Sequence, residues 1–169
     1  MRIRLVVAIL AAAAHACSGS CSPDAESSGG TVSDTAKKSP VAAVYDKKCN
    51  ADLEAARAAF AVLEGTQPPQ TVATVLEPLN ELWMIVDRAL NTAQLYRNVH
   101  PDEELRDAAE TCEQEFQKLV TDLGLSRPLF DATSKVDTTK QDAVTQRYVE
   151  HLLRDFRRAG VDKDEATRA

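Results

Sequence analysis

Glycine is scarce in this chain, with 6 residues in 169, and aromatic side chains make up only 5% of it. Ala and Leu are plentiful instead, a balance that favours helix over sheet. No segment alternates as a strand would, and no internal repeat is visible. Long apolar runs are also lacking: the one notable run, Leu5 to Ala14, has ten residues. At about 1.5 Å per residue it is too short to cross about 30 Å of hydrocarbon. Positive charge is in deficit, with 20 Lys and Arg against 26 Asp and Glu and a net charge of −6. No cationic stripe is interleaved with aromatics, which excludes direct nucleic-acid binding, since phosphate contacts need clustered cations. Among the 3 histidines none belongs to a His-Glu-x-x-His. Cys-x-x-Cys, Gly-x-Ser-x-Gly and glycine-rich phosphate loops are missing too, so no recognised zinc, serine-nucleophile or nucleotide centre is encoded.

The N-terminus has the pattern of a targeting segment. Arg2 and Arg4 precede the apolar run, and Ala14-His15-Ala16 is a small-x-small cleavage signal followed at once by Cys17. Residues 1–16 are therefore expected to be a signal peptide. Two products fit: cleavage after Ala16 releases a soluble exported protein, whereas a bacterial lipoprotein keeps Cys17 as its lipidated first residue. Residues 17–40 are rich in Ser, Gly, Asp and Thr with almost nothing apolar. They cannot bury enough surface to fold and read as a disordered tether, which favours the lipid anchor. The expected location is the cell envelope, periplasmic or attached to the membrane through Cys17. Loss of residues 1–16 leaves 18 basic against 26 acidic residues, a charge of −8.

From Tyr45 onward the period is helical, and residues 41–169 are expected to form an all-α domain of about four helices in antiparallel hairpins. The first runs from about Tyr45 to Glu64, with Cys49, Leu53, Ala56, Phe60 and Leu63 on one face. Gly65 and Pro68-Pro69 stop it. The second runs from Thr71 to Arg97 with Val72, Val75, Leu76, Leu79, Trp83, Val86, Leu90 and Ala93 as its stripe. Pro78 either kinks it or marks its true start. The third begins at Pro101, with Asp102, Glu103 and Glu104 at the positive end of the dipole. Its row is Leu105, Ala109, Cys112, Phe116, Leu119 and Leu123, and Gly124 ends it. A turn or short helix near Arg127 to Ala132 leads to the fourth, from Lys140 to Ala159. There Thr139 with Asp142 resembles a capping box, Val144, Tyr148, Leu152 and Phe156 form the apolar row, and Gly160 ends it.

Four cysteines in an exported chain allow three pairings. Cys49 and Cys112 both fall on core faces, so a disulfide between them is one expectation and two buried thiols is the other. Cys21 has no evident partner if Cys17 is lipidated. His100 reads as a cap-region residue and His151 as a half-exposed helical one. Glu103, Glu104, Glu110 and Glu113 read as a solvated face, and Trp83 as core.

Two longer stretches carry a resemblance. Leu90-Asn91-Thr92-Ala93 with Asn98-Val99-His100-Pro101-Asp102-Glu103-Glu104-Leu105-Arg106-Asp107-Ala108-Ala109-Glu110 is one. Arg147-Tyr148-Val149-Glu150-His151-Leu152-Leu153-Arg154-Asp155-Phe156-Arg157-Arg158-Ala159-Gly160-Val161 is the other. Both resemble the amino-terminal region of thimet oligopeptidase-type zinc peptidases, over about Tyr45 to Ala169. The resemblance implies helices that form part of the wall over a deep channel restricting substrates to short peptides. It also implies zinc held much further along the family's chains by a His-Glu-x-x-His helix and a distant Glu. No position here matches those, so the expectation is no catalytic, cofactor-binding or metal residue in this chain, and zinc only in an intact family member.

The implied function is the non-catalytic leading portion of an exported zinc oligopeptidase, partnered by a C-terminal catalytic region missing here. The Asp162-Lys163-Asp164-Glu165 helix start, followed by an end at Ala169, is read as truncation. The alternative is a self-contained helical lipoprotein that serves as a binding or scaffolding module.

Overall fold

A computed structural model describes residues 39–163. The expected signal peptide, Cys17, Cys21, the tether up to residue 38 and the Asp164–Glu165 part of the last helix start lie outside the described residues. Five α-helices and no strand are found among those described: α1 (Pro40–Glu64), α2 (Glu77–Val99), α3 (Glu103–Leu125), α4 (Arg127–Ser134) and α5 (Ala143–Ala159). A π-helical turn, Val72–Leu76, leads into α2.

Local chemistry decides the boundaries, and several differ from expectation. α1 begins at Pro40, five residues before Tyr45, because the Ser39 hydroxyl accepts the Ala42 N–H at 3.2 Å and Pro40 supplies a helical φ in the first turn. Ser39 and Pro40 thus belong to the helix and not to the tether. Pro78 marks the true start of α2: it sits in the first turn, and the π turn ahead of it is closed by a reciprocal Thr71–Thr74 capping box. α3 starts at Glu103 and not at Pro101, since Asp102 is the N-cap and accepts the Leu105 N–H at 3.0 Å. Gly124 does not end α3. It is interior to the helix beside Ala159, and Ser126 ends α3 while its hydroxyl caps α4 through the Leu129 N–H at 3.2 Å. Likewise α5 starts at Ala143, because Asp142 itself accepts the Thr145 N–H at 2.7 Å. Thr139 bonds Asp137 and takes no part in that cap. Gly160 closes α5 in the left-handed region at φ 94°, where only glycine is comfortable, and the Val161 N–H returns to the Phe156 carbonyl.

The turns make α2 antiparallel to both α1 and α3, so α1 and α3 run parallel, and each of the three packs on the other two. Their shared core holds Leu53, Ala56 and Leu63 from α1, Leu79, Leu82 and Val86 from α2, and Phe116, Leu119 and Leu123 from α3. α4 and α5 cover one end and add Leu129, Phe130, Phe156 and Val161. There the Ser126 hydroxyl also donates to Glu64 at 2.7 Å. A smaller cluster of Ala42, Leu105 and Ala108 closes the far end, where α1 starts.

Two stripes differ in detail from the sequence reading. α2 also buries Leu82 and Ala89, while Trp83 and Leu90 are only half-buried. A helix wedged between two neighbours buries a wider arc than a single row. On α5 the buried row is Thr145, Val149 and Phe156, leaving Val144 exposed.

Candidate docking surface

Exposed apolar side chains are ordinary when scattered, so their placement is what carries information. Among the described residues seven large hydrophobic side chains are exposed, and six lie on α1 and α2: Val41, Val44, Val62, Met84, Leu95 and Val99, at 52% to 71% exposure. Val44 and Val62 are five whole turns apart at 3.6 residues per turn, so they share one face of α1. Met84, Leu95 and Val99 fall within a narrow arc of α2 by the same geometry.

Both rows face solvent on helices that pack against each other, and together they are called the α1/α2 strip. Between these helices the Asp52 carboxylate takes the Lys48 ammonium at 2.6 Å and the Arg88 guanidinium of α2 at 3.3 Å. Near the Val62 end, Ala59, Val62, Ala73 and Pro78, edged by Glu77 and Glu81, line an open depression of about 480 Å³. The result is an apolar strip with a cationic-rich ion cluster between its helices and acids at one end. Its chemistry suits the apolar side of another helix or sheet. Sequence reasoning missed this strip because it followed only each helix's core row. The signal was a second row, Val44, Ala55 and Val62 on α1 and Met84, Leu95 and Val99 on α2.

Another open depression among the described residues, about 350 Å³, is lined by polar side chains that pair with one another, with Arg97 and Glu113 2.9 Å apart.

The expected site residues are placed as follows. Cys49 and Cys112 come together: their sulfurs are 1.93 Å apart and their Cα atoms 6.1 Å apart, a disulfide joining α1 to α3. His100 follows the end of α2, accepts the Asp102 N–H on Nδ1 at 3.2 Å and lies edge-on to Tyr96 at 5.6 Å. His151 is half-buried on α5, apart from it. Glu103, Glu104 and Glu110 are exposed, whereas Glu113 is half-buried against Arg97. Trp83 is half-buried and packs on the main core.

Among the described residues no three His, Cys, Asp or Glu side chains group to hold a metal ion. With the two cysteines bonded to each other and His100 spent on a turn, these residues do not fit zinc. No described helix is long and apolar enough to cross a membrane.

The family model for the neurolysin/thimet oligopeptidase N-terminal domain matches residues 50–168. The chain belongs to that family. No curated protein and no solved structure matches it.

In this oligopeptidase N-terminal domain one polar atom in the packed end stands out. The Tyr45 hydroxyl is buried without a hydrogen-bond partner, and its ring meets Tyr96 edge-on at 5.4 Å. Burial pushes the phenol from 10.0 up to about 12, with repulsion from Tyr96, Asp46, Asp52 and Glu113 adding to it. The folded state therefore holds the proton more tightly than the unfolded chain. The stability this gives is complete below about pH 10 and is lost as pH rises through about 12. A tyrosinate absorbance titration should show a phenol titrating near 12, besides Tyr148, whose burial also raises it, and only the Tyr45 step should disappear in Tyr45→Phe. A Tyr45 midpoint near 10 would show that the hydroxyl is solvated.

Proposed function

We propose that this chain is the non-catalytic N-terminal helical portion of an exported zinc oligopeptidase, and that the α1/α2 strip docks it against the enzyme's catalytic region. The match over residues 50–168 carries the reading. The strip adds support, because six of the seven large apolar side chains exposed among the described residues lie on two helices that pack together. Peptide hydrolysis belongs to the intact enzyme: zinc on a His-Glu-x-x-His helix would supply the activated water, and none of the described residues takes part in that step. The helical portion would restrict access, selecting short peptides. Export through residues 1–16, and attachment to the membrane through a lipid on Cys17, complete the reading.

A second reading is a self-contained helical lipoprotein serving as a binding module. It is favoured by a closed three-helix core and by the α1–α3 disulfide.

The test begins downstream of Ala169. An in-frame His-Glu-x-x-His is expected there. The purified chain alone should bind a hydrophobic dye and cleave no peptide with or without zinc. Leu95→Asp with Met84→Asp should cut dye binding at least about threefold while leaving the fold intact, since both side chains are exposed. Adding the separately expressed catalytic region should suppress dye binding in the same way. Unrelated downstream sequence, with a cooperative melt and no dye binding, would turn the conclusion to the self-contained module.

A further inference from the structure

Charge is divided unevenly over the described residues. The three-helix bundle with its turns, residues 39–125, carries 7 Lys and Arg against 15 Asp and Glu, a charge of −8. Residues 126–163, with α4 and α5, carry 8 against 6, a charge of +2. Much of that excess lies in one row on α5. Arg147, Arg154 and Arg158 are spaced by seven and four residues, which sets them within about 40° of one another around the helix and over about 16 Å of its length. All three are exposed, and the half-buried His151 falls beside them. Two carboxylates edge the row, Glu150 and Asp155. Asp155 meets Arg154 at 3.6 Å and Arg158 at 3.7 Å, so one exposed acid is shared at long distance between two guanidinium groups. Pairs of this kind hold weakly and leave the arginines available to another anion. The row carries no aromatic side chain, and Val144 at its N-terminal edge is the one exposed large apolar group of α5. Specific protein interfaces are centred on buried aromatic or apolar anchors. A row of guanidinium groups beside a lone valine suits instead a surface of many like anions.

We infer that this face of α5 docks on the anionic phospholipid headgroups of a bilayer, with Arg147, Arg154 and Arg158 as the phosphate-binding side chains. Each arginine held near an anionic lipid surface strengthens binding by about fivefold, and guanidinium groups pair well with phosphate oxygens. The division of charge sets the orientation: an anionic bilayer repels the acidic three-helix bundle and attracts the α5 row. Chain length permits the contact. Ser39, where α1 is capped, lies 22 residues after Cys17, and a chain of that length spans at most about 75 Å. α1 has 25 residues and is about 37 Å long. A bilayer that holds residue 17 is therefore within reach of the α4/α5 end. The inference takes from the proposed lipid anchor only a nearby bilayer, and the binding itself needs no lipid on Cys17.

The experiment is vesicle sedimentation of the full chain carrying Cys17→Ser, so that no acyl chain contributes. Vesicles of phosphatidylcholine alone are compared with vesicles in which about one third of the lipid is phosphatidylglycerol. At low salt the chain should partition at least about tenfold more strongly onto the anionic vesicles, and about 0.5 M salt should abolish the difference. Arg147→Gln with Arg154→Gln and Arg158→Gln should lower that partition at least about tenfold. Lys47→Gln with Arg57→Gln and Lys118→Gln removes the same charge from α1 and α3, and should lower it by less than about threefold. All six side chains are exposed, so both triple variants should melt as the parent does. Equal partition onto the two kinds of vesicle would overturn the inference and leave the face to an acidic protein. An equal loss in the two triple variants would overturn it as well, by making net charge and not this face responsible.

Discussion

Replacing both bonded cysteines, as Cys49→Ala with Cys112→Ala, is expected to lower the stability of the helical domain by about 4 kcal/mol. The bond links positions 63 apart in sequence. In the chain-entropy description a loop of this size removes about 4 kcal/mol of freedom from the unfolded chain, and the cost of losing it grows only slowly with length. For a domain of this size that corresponds to a fall in Tm of about 15 °C. The native structure should suffer little, because alanine fills both positions without introducing a polar group. A urea melt reads the effect through a lower midpoint and a somewhat steeper slope, because the unfolded chain freed of the bond exposes more surface. A loss below about 1 kcal/mol would mean that the unfolded chain already keeps α1 close to α3, and the entropic account would then fail.

Phe116→Ala should cost about 4 kcal/mol by a different route. Phe116 is fully buried in α3, within the cluster that joins Leu53 and Leu63 of α1 to Leu82 and Val86 of α2. Truncation loses the transfer free energy of an aromatic ring and leaves a void that three helices cannot all close at once. Phe130 is the instructive comparison. It lies at the α4/α5 end, edge-on to Phe156 at 6.0 Å with the Arg127 and Arg157 guanidinium groups over its ring, and 9% of it is exposed. Phe130→Ala should cost less, since water and the arginine stems can fill part of the space. Equal losses at the two sites would show that α4 and α5 belong to the same cooperative unit as the three-helix core.

How far the residues alone reveal this architecture varies from helix to helix. All six positions of the α3 row, from Leu105 to Leu123, are buried as their spacing requires. Polar side chains occupy most of the rest of that helix, so only one face could turn inward. α2 was harder to read because it has two neighbours: its buried arc takes in Leu82 and Ala89 as well, and no single 3–4 row describes it. On α5 the first half of the row is displaced by one residue, from Val144 to Thr145 and from Tyr148 to Val149, while Phe156 stays buried, because packing against α3 and α4 sets the rotation of the helix. The expected starts of α1, α3 and α5 lay a few residues from the observed ones, because the capping side chains Ser39, Asp102 and Asp142 set them. Asp102 beside Pro101 and Ser39 beside Pro40 show this from the two sides: the first proline lies outside its helix and the second within it.

Composition, the 3.6-residue period and the family signature are local properties, and they determined by themselves that the chain is all-α and that it belongs with the oligopeptidase N-terminal domains. The positions of Cys49 and Cys112 on core rows were local too, although their meeting required α1 to lie beside α3. The exposed strip was not legible in this way. Val44 and Val62 are chemically the same as the buried Val75 and Val86, and nothing within a single helix distinguishes a face that a neighbour covers from one left open. Only the packing of α3 on α1 and α2, and of α4 on α1, decided which apolar row would remain in water, because burial belongs to pairs of surfaces and not to residues.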